Sequence, residues 1–358
     1  MNASPSQPRP AEWTETQGLL PSVERDLPAG RHQFHKEQMM AQIHEDLRTT
    51  RTDGRPAVAP RRPNPFLRRA ILLPAAAFAL AGAVVAGVTL SGGNDGGGKT
   101  ALATGPALTT RIGVADAKGA PQLLDRISLA AADVSGPTPH AGQFVYIASK
   151  VASTYPHTVD NKTTVVSQKL HSRQVWNSLD GKDGWLIEAG ETSDTGMTLS
   201  SDIPIDSAYD ALVKLPTDPD ALLQRIYRDS DAVRDHEVPR DQAAFVAIGD
   251  LLTESYPPAG LTAALYKAAA KIPGVVAVDD AVDAVGRHGV AIARQNDAAG
   301  ERTEWIFDKK TLQFLGERNV VVKKVADSPF KVGTVTFTSA ITQRAIVDAG
   351  KQVPGQVG

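Results

Sequence analysis

The segment TTVVSQKLHSRQVWNSLDGKDGWLIEAG, residues 163–190, decides the fold class of this chain. Its apolar and polar residues alternate, which is the period of a strand with one covered face. Asp180-Gly181 and Asp183-Gly184 interrupt the alternation. Asp-Gly pairs supply the turn geometry of a β-hairpin. Upstream, AGQFVYIASKVAST (141–154) reads as a further strand, and PQLLDRISLAAADV (121–134) as a helix. Downstream, the polar stretch 190–210 reads as a loop.

Three helices are expected next. LPTDPDALLQRIYRD (215–229) is capped by Asp218, with Pro219 at its first position. QAAFVAIGDLLTES (242–255) is broken by Pro257-Pro258, and GLTAALYKAAAKIPGV (260–275) is ended by Pro273-Gly274. Strands return in 274–296, in RTEWIFDKKTLQFLGERNVVVKK (302–324) with a turn at Asp308–Lys310, and in KVGTVTFTSAITQRAIVD (331–348). Strands, then helices, then strands without βαβ alternation define an α+β domain over 121–350. The expected form is a curved, half-barrel-like antiparallel sheet with helices on one face.

Ahead of that domain stands AILLPAAAFALAGAVVAGVTL, 70–90, a run of 21 residues with no charged side chain. At about 1.5 Å per residue, such a helix crosses the roughly 30 Å hydrocarbon core of a bilayer. Arg51, Arg55, Arg61, Arg62, Arg68 and Arg69 precede it, against the single acid Asp53 in 50–69, whereas 91–110 holds only Lys99 as a base. The positive-inside rule then places residues 1–69 in the cytoplasm and the α+β domain outside it. The run is too long, and begins too far from the start, for a cleaved signal peptide. Residues 91–120 read as a flexible Gly-rich linker.

The cytoplasmic part, 1–69, reads as a mostly disordered tail carrying one helix. Pro28 suits a helix start, and Asp26 the positive helix end. Phe34, Met39, Met40, Ile43 and Leu47 recur at helical spacing and form one apolar stripe. That stripe is too small to make its own core, and a Met-rich amphipathic face fits a groove on another protein. These five residues are the candidate partner-binding set.

Charge and composition narrow the function classes. Residues 1–69 hold 11 Lys/Arg against 8 Asp/Glu, and the remainder 27 against 32. Neither part has the basic excess of a dedicated nucleic-acid binder, so no direct nucleic-acid partner is expected. The chain has no cysteine, which removes disulfides, thiol catalysis and Cys-containing zinc sites. Gly93, Gly98, Lys99 and Thr100 match the P-loop spacing. However, a P-loop needs a buried strand before it and a helix after it, and here an apolar span precedes and Gly105-Pro106 follows. FVAIGD (245–250) reads as helix rather than as a Walker B strand. His140, His157, His171, His236 and His288 show no metal-ligand spacing. No G-x-S-x-G elbow or HExxH helix is present. Asp202, Asp206 and Asp210 read as a solvated loop face, and Asp250 with Glu254 as exposed helix carboxylates. No catalytic residue, cofactor or metal site is expected.

RDLPAGRHQFHKEQMM, VYIASK, RQVWNSLDG, LPTDPDALLQRIY, FVAIGDLL, ALYKAAAKIPGV, GRHGVAIAR and RTEWIFDKKTLQFLGER form an ordered series along nearly the whole chain. In this series the chain resembles a family of actinobacterial single-span membrane proteins often encoded beside extracytoplasmic-function sigma factors. The resemblance implies a membrane sensor, or an anti-sigma-like regulator whose inner helix meets a cytoplasmic sigma factor. The zinc-binding anti-sigma pattern of His and Cys is not matched, because Cys is absent. The strand-rich part is also similar in element order to lipoprotein-carrier half-barrels. That likeness implies the alternative of a membrane-anchored ligand- or lipid-binding module without signalling.

Overall fold

The computed structural model describes residues 102–134, 136–159, 162–200, 206–235 and 237–355. The apolar run 70–90, the P-loop-like match and the Phe34, Met39, Met40, Ile43 and Leu47 stripe lie outside the described residues. Among the described residues no helix is long and apolar enough to cross a membrane.

In chain order the elements are β1 (Thr104–Pro106), β2 (Ala115–Asp116), α1 (Ala120–Ala132), β3 (Phe144–Val159), β4 (Lys162–Gln168), β5 (His171–Ser178), β6 (Gly184–Glu188) and β7 (Met197–Thr198). Then follow α2 (Tyr209–Leu212), α3 (Pro219–Asp231), α4 (Arg240–Glu254), α5 (Ala259–Ala269), β8 (Val275–Val282), β9 (His288–Asn296), β10 (Glu301–Asp308), β11 (Phe314–Val321) and β12 (Val335–Val347). All strand pairs are antiparallel, and the sheet is open, in the order β2-β8-β9-β10-β11-β12-β3-β5-β6-β7. β4 adds to β3 off this path, and β1 adds to β4. The class is therefore α+β, as the element order implies.

Local signals account for the helices and turns. The Asp218 carboxylate accepts a hydrogen bond from the Ala221 N–H at 2.9 Å and caps α3, whose first residue is Pro219. FVAIGD lies within α4, as its spacing suggests. At the β10–β11 turn, Asp308 Oδ1 accepts from the backbone N–H groups of Lys310 at 2.9 Å and Thr311 at 2.7 Å.

The hairpin expected at Asp180-Gly181 and Asp183-Gly184 forms between β5 and β6. β4 pairs with residues 154–159 of β3, while β5 pairs with residues 144–151 of the same strand. β3 is 16 residues long, so it outruns β5 and offers its far end to a second neighbour. The sheet departs from the sequence reading in two places. First, the stretch 190–210 is not only loop, because β7 pairs with β6 and α2 starts at Tyr209. Second, residues 104–116, expected within the 91–120 linker, join the sheet. β1 pairs with β4, Thr109 bridges Thr334, and β2 pairs with β8.

Burial separates the two faces of the sheet. Ala277, Ile292, Trp305 and Phe307 point at the helices and share one core with Leu124, Ile127, Leu222, Ile226, Phe245, Ile248, Leu252 and Leu265. Phe245 of α4 stacks on Trp305 with ring centroids 3.8 Å apart. Fully burying an apolar side chain of this size contributes roughly 1.5–3 kcal/mol, so this layer holds the helices on the sheet. Val278, Ala291, Ala293, Ile306 and Leu315 lie on the opposite face. Beside them Glu304 is fully buried between Arg302 and Arg318, with Nε–O distances of 2.7 and 2.8 Å. Arg318 Nη1 also donates to Thr110 Oγ1 at 3.1 Å, and Arg302 Nη1 to the Gly113 carbonyl at 3.2 Å. Buried donors must find acceptors, and segment 104–116 supplies them, which is why it is strapped down.

Candidate functional site

Strand register assembles a polar row beneath α4. His171 of β5 stands opposite Val151 of β3, Val151 opposite Ser339 of β12, Ser339 opposite Glu317 of β11, and Glu317 opposite Trp305 of β10. One step along, Arg173 stands opposite both Ser149 and Glu188. Alternation of period two puts the side chains of such a row on one face. Here that face is the one carrying Trp305, against which α4 lies.

The charged members interlock. Arg173 Nη1 lies 2.9 Å from Glu254 of α4, and its Nε lies 3.2 Å from Glu188 of β6. Burial alone would lower the Arg173 pKa, but the charges of Glu254 and Glu188 outweigh that and hold it above its ordinary value. His171 Nε2 is 3.1 Å from Glu188, and its Nδ1 is 3.0 Å from the Lys169 carbonyl. Both ring nitrogens thus face acceptors, and a neutral imidazole can donate to only one of them. From β12, Arg344 donates to the Leu252 carbonyl of α4. Burial pulls its guanidinium below the usual range, partly offset by Tyr266, Glu254 and Tyr256.

Among the described residues, two carboxyls in this seam have no cation beside them in an ion pair. Asp250 of α4 is 5 % exposed, and its Oδ2 meets no hydrogen-bond donor. Burial, then the nearby charges of Glu317 and Glu254, push it well above the usual carboxylate range. Glu317 is pushed up to about 7, by burial first and Glu254 second. Arg173 Nη2, Thr253 Oγ1, Trp305 Nε1, Ser339 Oγ and Arg344 Nε are likewise buried without a partner. A concentration of unsatisfied polar atoms on one seam is costly, and strongly shifted carboxyls are found at functional sites as well as in structural ion-pair networks.

A second polar group closes the N-terminal end of α4. Gln242 donates to Thr303 Oγ1 at 3.2 Å and accepts from Arg294 Nη1 at 2.8 Å. The Tyr227 hydroxyl donates to Asp241 at 2.7 Å, and burial together with that bond raises its pKa to about 12. These groups are paired, so they position α4 rather than strain it.

The reading of Asp250 and Glu254 as exposed is corrected: the Glu254 side chain is only 12 % exposed, and both lie against the sheet. The sequence carried a faint signal for this, since Asp250 sits among Ile248, Leu251 and Leu252, all buried. Of the four described histidines, only His171 enters the seam. His140, His157 and His288 take no part in it, and His236 and Asp202 lie outside the described residues. Among the described residues no group of three or more His, Asp or Glu side chains is arranged to hold a metal ion. No side chain in the seam forms the hydrogen-bonded nucleophile–base pair that covalent catalysis requires. The arrangement places two carboxyls with raised pKa values, Asp250 and Glu317, at the contact between α4 and the sheet. No family model matches the chain, and no curated protein matches it.

Proposed function

We propose that this chain is a single-span membrane protein whose outer α+β domain senses a condition or ligand and passes that state to a cytoplasmic partner. The partner-facing stripe is Phe34, Met39, Met40, Ile43 and Leu47, and a sigma factor is the partner class that the sequence resemblance suggests. The observation that carries the reading is the uncharged run 70–90 between six arginines and a flank with one lysine. The buried ionic seam is consistent with a sensing role, because it is an expensive feature with no catalytic geometry. A half-barrel-like curvature of the sheet is part of this proposal, and it is supported by β3 pairing with β5 over one part of its length and with β4 over the other. The carrier alternative is less well supported, since an apolar ligand is ill matched to a helix-facing seam holding Arg173, Glu188, Glu254 and Asp250.

The cysteine-free chain makes a direct test simple. Single-cysteine variants Ser4→Cys and Asp297→Cys would be exposed in intact cells to a membrane-impermeant maleimide. The Asp297→Cys chain should label in intact cells, and the Ser4→Cys chain only after lysis. The reverse pattern would sink the topology. For signalling, cross-linked cytoplasmic partners of the full chain would be compared with those of a Met40→Asp plus Ile43→Asp variant. Equal recovery from both would remove the partner-binding role of the stripe.

A further inference from the structure

We propose that α4 is seated on the sheet by a proton-dependent latch, held while the carboxyls of Asp250 and Glu317 are neutral and released when both ionise. The latch deepens the sensing role proposed above by naming its signal, and it rests on that reading only for its biological meaning.

A charge count across the interface supports it. The groups facing the C-terminal half of α4 are Arg173 and His171 from β5, Glu188 from β6, Arg344 from β12, Glu317 from β11 and the Trp305 indole from β10. Tyr266 of α5 and Tyr256, just after α4, lie near Arg344. α4 itself contributes Asp250 and Glu254. The N-terminal half faces Arg294 and Tyr227, which are matched by Asp241 and Gln242. In the C-terminal half there are two guanidiniums against four carboxyls. Glu188 and Glu254 take Arg173 between them, and Arg344 spends its bond on a backbone carbonyl. With all four carboxyls ionised the seam carries a net negative charge that has left water. With Asp250 and Glu317 neutral it balances. A buried charge without a partner is expelled or neutralised, and here expulsion means lifting the helix that carries Asp250.

The surroundings favour the neutral forms. Asp250 Oδ2 has no donor, and Gly249 lets α4 approach so closely that a Cβ there would lie 2.5 Å from Trp305 Nε1 and 3.3 Å from Glu317 Oε2. Both carboxyls titrate above their ordinary values when folded, for the reasons of burial and like charge already given. The sign follows from linkage. A carboxyl whose folded pKa is raised contributes stability that is complete below its unfolded value and is lost as pH rises through the folded one. For Glu317 that window runs from the ordinary 4.5 to about 7, and for Asp250 it begins at 3.8.

The test uses the full chain in detergent micelles with the single substitution Thr253→Cys, which puts a thiol on the buried side of α4. The probe is 4,4′-dithiodipyridine, which reacts at low pH. An Asp297→Cys chain, exposed in the β9–β10 turn, corrects for thiol ionisation. The ratio of the two labelling rates should rise at least about tenfold from pH 5 to pH 7, because one linked proton is worth up to tenfold per pH unit. In an Asp250→Asn plus Glu317→Gln background, which mimics the neutral pair, the ratio should change less than about twofold. A flat ratio in the first chain, or an equal rise in both, overturns the latch. If the double variant does not fold, Glu317→Gln alone should cut the rise at least threefold, and an unchanged rise again overturns it. The maleimide experiment in whole cells is independent, so failure of the latch and failure of the membrane topology are read separately.

Discussion

At the scale of single residues, Gly249 shows how closely α4 is fitted. It lies within a helix, where glycine costs about 1 kcal/mol relative to alanine. Its presence is explained by the Trp305 ring, 2.5 Å from where a Cβ would stand. That ring is fully buried and stacked on Phe245, so it cannot swing aside cheaply. Forcing extra volume into such a core costs about 1–3 kcal/mol, which exceeds the propensity gain. Gly249→Ala should therefore lower stability by about 1 kcal/mol. Gly260→Ala is the control, because Gly260 also lies in a helix and a Cβ there meets nothing within 4 Å. It should leave stability unchanged or raise it. Urea unfolding midpoints of the two variants would decide, and equal shifts would show that the Trp305 contact is not limiting. The tight contact was not legible in the sequence, and the burial of Asp250 was signalled there only faintly, by its apolar neighbours Ile248, Leu251 and Leu252. A lone Gly in a helical pattern and two carboxylates four residues apart on it have ordinary surface readings, and what changes them arrives from β10, β11 and β5.

At the scale of elements, what was legible is what is local. α3 starts where Asp218 and Pro219 say it should, and the β10–β11 turn is built by Asp308. Segment 104–116 was not legible. TGPALTTRIGVAD has no strand alternation, and its two short strands exist because the sheet offers edges and buried guanidiniums to it. Arg302 and Arg318 share the single carboxylate of Glu304, so one positive charge in excess is spread over Gly113, Thr110 and Val282 oxygens. Hydrogen bonds to charged groups contribute roughly 1.5–3 kcal/mol each. A chain beginning at Leu102 should therefore be more stable than one beginning at Lys118 by about 3–6 kcal/mol, since the shorter chain loses two such bonds and both short strands. Chemical denaturation of the two truncated chains checks this. Coincident curves would mean that the strap only rests on the sheet. If the strap is the connection from the membrane span to the domain, this energy also sets how firmly a change in the domain is transmitted along it.

At the scale of the whole molecule, β12 is the keystone of the sheet. It pairs with β11 on one side and with β3 on the other, although β3 begins nearly 200 residues earlier in the chain. Without it the sheet would fall into two parts, one containing β2 and β8 to β11, the other β1 and β3 to β7. Such long-range order is invisible to a reading of local pattern. Element order gave the α+β class, but the strand order depends on which edges remain open when the chain returns. α4 bridges the same divide, touching Trp305 and Glu317 on one side and reaching Arg173 on the other through Glu254. Segment 104–116 crosses it as well, pairing with β4 through β1 and with β8 through β2, and these three connections make cooperative unfolding the expectation. In native-state hydrogen exchange with increasing urea, peptides from β8–β10 and from β3–β6 should lose protection at the same denaturant concentration at pH 5. At pH 8, where the raised carboxyls of Asp250 and Glu317 favour an unseated helix, only β12 and the 104–116 strap carry the connection, and the two sets should separate. Coincidence at both values would show that α4 contributes nothing to coupling the two parts. Separation at both would show that β12, α4 and the strap together do not bind them into one cooperative unit.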